Sequence, residues 1–176
     1  MAHIHTKPGQ HDHTASAFIF RIDGKEPKVV LHKHKKTGLY QQFGGHVELN
    51  ETPWEAVTHE IKEESGYDIN QLEVLQPKNR LRKTLGAKLH PTPVCYNTHP
   101  FDDGHSHTDV AFAMVTTEAP LGQPIEGESK EIISYSREEL EKLPASKTRE
   151  NIRLICLFIF DEILDNWDAV PAKYYN

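Results

Sequence analysis

The sequence predicts a mixed α/β or α+β fold in which helices cover a mixed β-sheet. Two observations carry this prediction. Short segments rich in β-branched and aromatic residues recur along the chain, and the helix signals between them lack the regular alternation that a parallel sheet requires. The chain has 176 residues, a length that suits one folding unit with a sizeable core. We therefore expect a single domain over residues 1–176.

The strands follow from composition and from turn signals. The segments at 14–21 and 29–34 flank the turn-like DGKEPK and indicate a β-hairpin. Further strands are predicted at 39–43, 72–76, 92–97 and 108–116. The stretch around Pro100, Asp102 and Asp103 is expected to be mostly loop. Residues 1–12 are expected to form a flexible N-terminal segment.

Two helices have clear signals. Thr52 suits an N-cap, Pro53 the first helical position and Glu55 the end of a capping box, and Gly66 can close the helix. These residues predict a helix over 52–65. A C-terminal helix is predicted over 146–166 from apolar residues at helical spacing, and a short helix is predicted in REELEKL after Ser136.

Charge and composition exclude several classes of function. The chain has 20 Lys and Arg residues against 26 Asp and Glu, a net charge of -6, which argues against extended nucleic-acid binding or capture by an anionic membrane. Its longest apolar run, 154–160, is far shorter than the roughly 20 residues of a membrane span. The two cysteines show no CxxC spacing, so we expect a protein of the reducing cytoplasm.

Three glutamates crowd one side of the first predicted helix. Glu60, Glu63 and Glu64 are three and four residues apart and project together. Like charges at this spacing cost about 0.2–0.5 kcal/mol per pair, and the last turn of a helix favours cations instead. A solvated acidic face is one explanation. A site for Mg²⁺, which prefers oxygen ligands, is the other.

The wider pattern favours the metal site. Gly45, Glu51, Glu60, Glu63 and Glu64 stand at the spacing of the signature of the Nudix hydrolases. The signature also matches at Ile61, Gly66 and Tyr67. The sequence therefore resembles the MutT-like Nudix family, with its box at 45–67. The resemblance implies an α/β/α sandwich around a mixed sheet, with the box forming a loop-helix-loop.

The same resemblance implies an activity and a set of site residues. It implies a Mg²⁺-dependent pyrophosphohydrolase, with Mn²⁺ as a substitute, that cleaves the diphosphate of a nucleoside diphosphate joined to another moiety by means of a metal-activated water. Glu60, Glu63 and Glu64 would be metal ligands, the Gly45 carbonyl a further ligand, and Glu51 a supporting catalytic residue. Either Glu60 or Glu64 would activate the water, with a later glutamate, Glu128 or Glu131, as the alternative base.

The sequence departs from the signature at His59, where the family usually has Arg. Either His59 substitutes adequately, or the site is weakened and the protein is a nucleotide-binding or regulatory domain. Isomerisation of an isoprenoid diphosphate is a third alternative, but it needs a placed cysteine and acid, and Cys95 has no evident partner in the sequence.

Other residues are candidates outside the box. Tyr40 and Phe43 are aromatic candidates for stacking on a base. His105, His107 and Asp109 alternate, which favours one face of a strand, and they either line a substrate site, bind a transition metal or simply form a polar strand face. The basic runs HKHKK and RLRK are either phosphate-binding or solvated. The last helix is apolar nearly all round, so a homodimer is one expected way to cover it.

Overall fold

The structure is a computed structural model that describes residues 9–101 and 104–176. Within these residues nine strands form one mixed sheet. The strands are β1 His11–Arg21, β2 Lys28–Lys33, β3 Tyr40–Gln41, β4 Phe43–His46, β5 Glu73–Gln76, β6 Cys95–Pro100, β7 Ser106–Thr116, β8 Ile132–Ser136 and β9 Asp168–Pro171. The central path of the sheet runs in the order β3-β2-β1-β7-β5-β9, and β4, β6 and β8 pair with β1, β7 and β2, respectively. The helices are α1 Pro53–Ser65, α2 Arg137–Glu141 and α3 Glu150–Phe158, which a π-helical turn at Ile159–Ile163 extends.

Strand β1 lies at the centre of the fold. It pairs in parallel with β7 along its whole length and antiparallel with β2 and β4. Its side chains alternate between two cores: Ala17 and Ile19 belong to the core beneath α1, whereas Phe18 and Phe20 belong to the core beneath α2 and α3. Helices thus cover both faces of a mixed sheet, and the predicted sandwich is confirmed.

Helix α1 has the ends that the sequence predicts. Thr52 is the N-cap, the reciprocal capping box with Glu55 is formed, and Gly66 closes the helix with φ 76°. The apolar side of α1 is fully buried on the sheet at Trp54, Val57 and Ile61. This packing fixes the rotation of the helix, so the side that carries the box glutamates faces the edge of β4.

The predicted start of the first strand and the predicted bounds of the strand at 92–97 differ from those of the structure. His11 and Asp12, which were expected to lie in a flexible segment, belong to β1, because their backbone pairs with Ser106 and His107 of β7. Residues 1–8, and the expected loop residues Asp102 and Asp103, lie outside the described residues. Strand β6 begins only at Cys95 and runs on to Pro100, paired with β7.

The last helix begins later than predicted. Residues 147–148 are held in the connection to β3, because the Lys147 carbonyl accepts a hydrogen bond from the Tyr40 N–H at 2.7 Å and the Thr148 hydroxyl donates to the Tyr40 carbonyl at 2.8 Å. Leu154 and Phe158 on the outer face are about half exposed. A homodimer stays a prediction. In the part of the chain that the structure describes, no helix is long and apolar enough to cross a membrane.

The end of α1 makes a close backbone contact that a side chain would disrupt. A Cβ on Gly66 would lie 2.5 Å from the carbonyl carbon of Gly122, whereas a Cβ on Gly86, which has a similar φ of 74°, would meet nothing within 4 Å. We expect Gly86→Ala to cost about 1–2 kcal/mol of unfolding free energy from the left-handed backbone alone. Gly66→Ala should cost clearly more, as measured by urea denaturation. Equal losses in the two variants would contradict the proposed contact.

Candidate active site

A cavity of about 640 Å³ lies where β1, β4, β7 and α1 meet. Its wall contains more polar and charged side chains than a typical apolar pocket. The acidic residues are Glu48, Glu60, Glu63, Glu64, Asp109 and Glu128, the basic residues are Lys35, Lys36 and Arg149, and the histidines are His34, His46, His59, His99 and His107. The structure therefore brings the predicted box glutamates together with cations from other parts of the chain.

Two glycines let β4 fit between β1 and the glutamates of α1. The Gly44 N–H donates a hydrogen bond to Glu64 Oε2 at 2.8 Å. A Cβ on Gly44 would lie 2.3 Å from the Ala15 carbonyl oxygen of β1, and a Cβ on Gly45 would lie 2.1 Å from Glu60 Oε1. The absence of a side chain at Gly44 therefore lets β4 approach β1, and its absence at Gly45 lets the backbone of the box approach the Glu60 carboxylate.

Burial makes these carboxylates hard to ionise. Burial raises the pKa of Glu64 from its ordinary value of 4.5 to about 9, although the hydrogen bond from Gly44 opposes this and the charge of Glu60 adds to it. Burial also raises the pKa of Glu60. A bound cation would favour the ionised forms. A set of clustered carboxylate oxygens fits a hard divalent ion such as Mg²⁺.

His59 contacts two of the box carboxylates. Its Nδ1 lies 3.0 Å from Glu51 Oε2 and its Nε2 lies 3.8 Å from Glu60 Oε1. Glu51 also accepts a hydrogen bond from the Glu48 N–H at 2.9 Å, which fixes the loop before α1. His59 is thus positioned between the start of the box and its first helical glutamate, and its side chain remains 45% exposed.

His32 is a site residue that the sequence reasoning missed. Its side chain is 1% exposed, and its Nε2 lies 3.7 Å from Glu64 Oε1, too far for a hydrogen bond. Burial lowers the pKa of His32 to about 4, so without a cation the contact joins a neutral imidazole and a neutral carboxyl group. The sequence did indicate that His32 is buried, because the two-residue period of β2 puts it on the same face of the strand as Val30.

The two later glutamates lie in different places. Glu128 lines the cavity, and its charge raises the pKa of Glu60 and of Glu64. Its loop is attached to the end of α1 by hydrogen bonds from the Gly122 N–H to the Gly66 carbonyl and from the Ile125 N–H to the Glu63 carbonyl, both 2.9 Å. Glu131 is exposed and accepts hydrogen bonds from Lys33 and from the Tyr40 hydroxyl.

The two aromatic candidates lie in the cores. Tyr40 is 6% exposed and packs edge-on against Tyr135. Phe43 is fully buried, with its ring 5.1 Å from that of His32. The structure thus gives both rings packing roles, and it places neither among the residues that line the cavity.

His105, just before β7, and His107, within it, lie beside a different aspartate from the expected one. Asp109 accepts hydrogen bonds from the hydroxyls of Thr14 at 2.8 Å and Ser16 at 2.7 Å. Asp12 instead lies next to His105 and His107, with ligand atoms that are all within 4.8 Å of one another. Two-residue periodicity placed Asp109 on the correct face, but only the pairing of β1 with β7 brings in Asp12.

Comparisons with known proteins agree with this geometry. The sequence matches the Nudix domain over residues 11–158. A solved hydrolase of the Nudix family from Clostridium perfringens is 34% identical, with 85% of this chain and 96% of that chain covered and a TM-score of 0.71. A search of curated proteins returned no significant match.

Two more distant structures share the fold. The Ap4A hydrolase of C. elegans in a binary complex is 17% identical, with 84% of this chain and 94% of that chain covered and a TM-score of 0.61. An ADP-ribose pyrophosphatase from Streptococcus suis is 21% identical, with coverages of 83% and 89% and a TM-score of 0.51. At these identities the likeness concerns the fold alone.

The chain belongs to the Nudix family. Its place in that family makes it an enzyme of the pyrophosphohydrolase class. The sequence-based recognition, which began from the spacing of Gly45, Glu51 and the three helical glutamates, is therefore confirmed.

The raised pKa of Glu64 predicts a pH dependence of stability. The folded protein holds this proton more tightly than the unfolded chain does, so the stabilisation is complete below pH 4.5 and is lost as pH rises through about 9. In chelator, unfolding free energy should therefore fall over this range, and Glu64→Gln should flatten the fall and be more stable than wild type at pH 8. Urea denaturation at several pH values would measure this. Glu73→Gln, an exposed control on β5, should follow wild type; an unchanged slope in Glu64→Gln would contradict the assignment.

Proposed function

We propose that the protein is a Mg²⁺-dependent pyrophosphohydrolase that cleaves the diphosphate linkage of a nucleoside diphosphate joined to another moiety. The observation that carries this proposal is the convergence of Glu60, Glu63 and Glu64 on one cavity, two of them with pKa values that burial raises. Such a carboxylate group is unfavourable unless a cation compensates it, and perturbed groups in a cleft are typical of active sites.

The proposed metal ligands are Glu60, Glu63 and Glu64, with the Gly45 carbonyl as a further ligand and Glu51 in a supporting role through His59. When bound there, Mg²⁺, or Mn²⁺ as a substitute, would neutralise charge on the phosphate oxygens and lower the pKa of a water molecule. The Gly45 backbone is a reasonable partner in this set because a Cβ at this position would lie 2.1 Å from Glu60 Oε1, which puts the glycine directly beside that carboxylate.

The substrate phosphates are proposed to lie between the glutamates and a group of cations. Lys35, Lys36 and Arg149 line the same cavity from the turn after β2 and from the residue that precedes α3. These cations would bind the diphosphate while the carboxylates hold its counter-ion. The basic run HKHKK is thus proposed to contribute its last two lysines to phosphate binding.

A carboxylate must accept the proton of the attacking water. Glu60 and Glu64 are the candidates within the box, and Glu128 is the candidate from the loop after β7 because it lines the cavity. Glu131 has less support, since its carboxylate already accepts hydrogen bonds from Lys33 and Tyr40 at the surface. We propose that His105 and His107 border the substrate site without contacting the reacting phosphate.

The structurally similar proteins indicate which substrates to test. One is an Ap4A hydrolase and another is an ADP-ribose pyrophosphatase, so both dinucleoside polyphosphates and nucleotide sugars belong in a panel. A cavity of about 640 Å³ lies within the range of about 300–1,000 Å³ of small-ligand sites. We propose a small nucleotide-type molecule as the substrate, and the cytoplasm as the compartment.

The proposal predicts a metal-dependent reaction that needs the box glutamates. With Mg²⁺, at least one panel member should release phosphate-containing products, measured by phosphatase-coupled phosphate release. Glu63→Gln should lower kcat by about 100-fold or more because it removes a charge that stabilises the transition state, with an unchanged circular-dichroism spectrum. The exposed control Glu73→Gln should retain wild-type kcat. Full activity in both Glu63→Gln and Glu64→Gln would refute these roles.

The second candidate function is nucleotide binding without efficient hydrolysis. The two candidates differ in whether His59 can replace the arginine that the family usually has at this position. The contacts of His59 with Glu51 and Glu60 favour an active site, since they give the imidazole the orienting role that Arg has in the family. We expect His59→Ala to lower kcat about 10-fold and His59→Arg to remain within about 3-fold of wild type, on the scale of losing one orienting partner. Tight nucleotide binding by calorimetry, with no turnover by wild type or by His59→Arg, would favour the binding module.

A further inference from the structure

Four side chains converge at the end of the cavity that lies beyond Gly45; we call Asp12, His46, His105 and His107 the His-Asp cluster. His46 Nε2 lies 3.4 Å and His105 Nε2 lies 3.9 Å from Asp12 Oδ2. A ring nitrogen of His107 lies within 4.8 Å of the ligand atoms of both Asp12 and His105. Three imidazoles therefore surround the Asp12 carboxyl group.

Strand pairing produces this cluster from residues far apart in sequence. In the parallel ladder of β1 and β7, Asp12 is opposite His107. In the antiparallel ladder of β1 and β4, His46 is opposite Thr14, the next residue on the same face of β1 as Asp12. The ring of Phe101 stacks on His107 with centroids 4.2 Å apart and covers it.

The cluster is largely buried, and three of its polar atoms lack a hydrogen bond. Asp12 is 6% exposed and His107 is 8% exposed. Within residues 9–101 and 104–176, Asp12 Oδ2, His46 Nε2 and His107 Nε2 make no hydrogen bond. Buried polar atoms without partners are costly. A ligand that accepts electron pairs from several of these atoms at once would remove that cost.

Imidazole nitrogens with one carboxylate are the donor set of transition-metal ions. In a tetrahedral zinc site with bonds of about 2.0–2.1 Å, neighbouring ligand atoms are about 3.3–3.4 Å apart. The separations of 3.4 and 3.9 Å around Asp12 Oδ2 are close to this value, and the ligand atoms of Asp12, His105 and His107, which lie within 4.8 Å of one another, would have to draw closer together on binding. We propose that the His-Asp cluster binds one divalent transition-metal ion of the zinc type.

This site shares no ligand with the box glutamates and takes a different class of metal. Mg²⁺ prefers oxygen atoms and would not compete well for three imidazoles. The two sites are nevertheless adjacent, because His46 directly follows Gly45, whose Cα lies beside the Glu60 carboxylate. An ion held by His46 would therefore also fix the end of β4 that borders the catalytic cavity.

Zinc titration of the full chain tests the site. After chelator treatment, and with excess Mg²⁺ to occupy the box, wild type should bind one equivalent of Zn²⁺ by calorimetry and retain it through gel filtration. Asp12→Asn and His107→Asn should each lose affinity by more than about 100-fold, beyond the loss caused by removing an outer-shell partner. The control His13→Asn, exposed on the opposite face of β1, should bind as wild type does. One equivalent retained by both variants would place the ion elsewhere, for example on His3 and His5, and overturn the proposal.

A spectroscopic measurement on wild type avoids dependence on variants that fold poorly. Co²⁺ bound by this nearly tetrahedral set should give strong visible absorption that Zn²⁺ displaces at one equivalent. An octahedral site made by box carboxylates would give only weak absorption. Failure to bind either ion, or a weak octahedral spectrum, would overturn the proposed site while leaving hydrolysis with Mg²⁺ unaffected.

Discussion

The structure depends on the close packing of α1 against the Gly44–Gly45 segment of β4. A Cβ on Gly45 would collide with the Glu60 carboxylate and a Cβ on Gly44 would collide with the backbone of β1. The absence of both side chains lets β4 lie between α1 and β1, where the Gly44 N–H donates a hydrogen bond to the buried Glu64 carboxyl group. That one hydrogen bond replaces only part of the hydration that Glu64 loses on burial. The hydration that is not replaced favours binding of a cation to this carboxylate. The same buried position therefore lowers the stability of the fold without a cation and raises the proposed affinity for one.

The charges of the cavity are divided between separate parts of the chain. Three of the carboxyl groups, those of Glu60, Glu63 and Glu64, come from α1, which is capped at both ends. The positive charges come from the turn after β2 and from the residue before α3. A diphosphate with its divalent counter-ion suits such a division, because each wall then faces charge of the opposite sign. The overall charge of -6 hides this arrangement, which is local.

The sequence was informative where the structure is determined by nearby residues. The capping box, the glycine at the end of α1 and the spacing of the glutamates all act within about one or two helical turns, and the helix has the predicted ends. The start of α3 was wrong because contacts with Tyr40, over 100 residues away, hold Thr148 outside the helix. Asp12 was missed because its partnership with His107 depends on a parallel pairing that local periodicity does not report. Composition and local spacing therefore do not predict which distant segments of the chain come into contact.

The loop that carries Glu128 is fastened to the end of α1 through two backbone hydrogen bonds, one of them at Gly66. Backbone contacts place few demands on side-chain identity, apart from the glycines that they require. The other residues of 123–131 could therefore differ in sequence while the same backbone hydrogen bonds still hold Glu128 at the cavity. The turn with Lys35 and Lys36 follows β2 and does not take part in those two hydrogen bonds. The side chains of this loop and of the turn can therefore change independently of each other, and neither change needs to alter the capped helix that carries Glu60, Glu63 and Glu64.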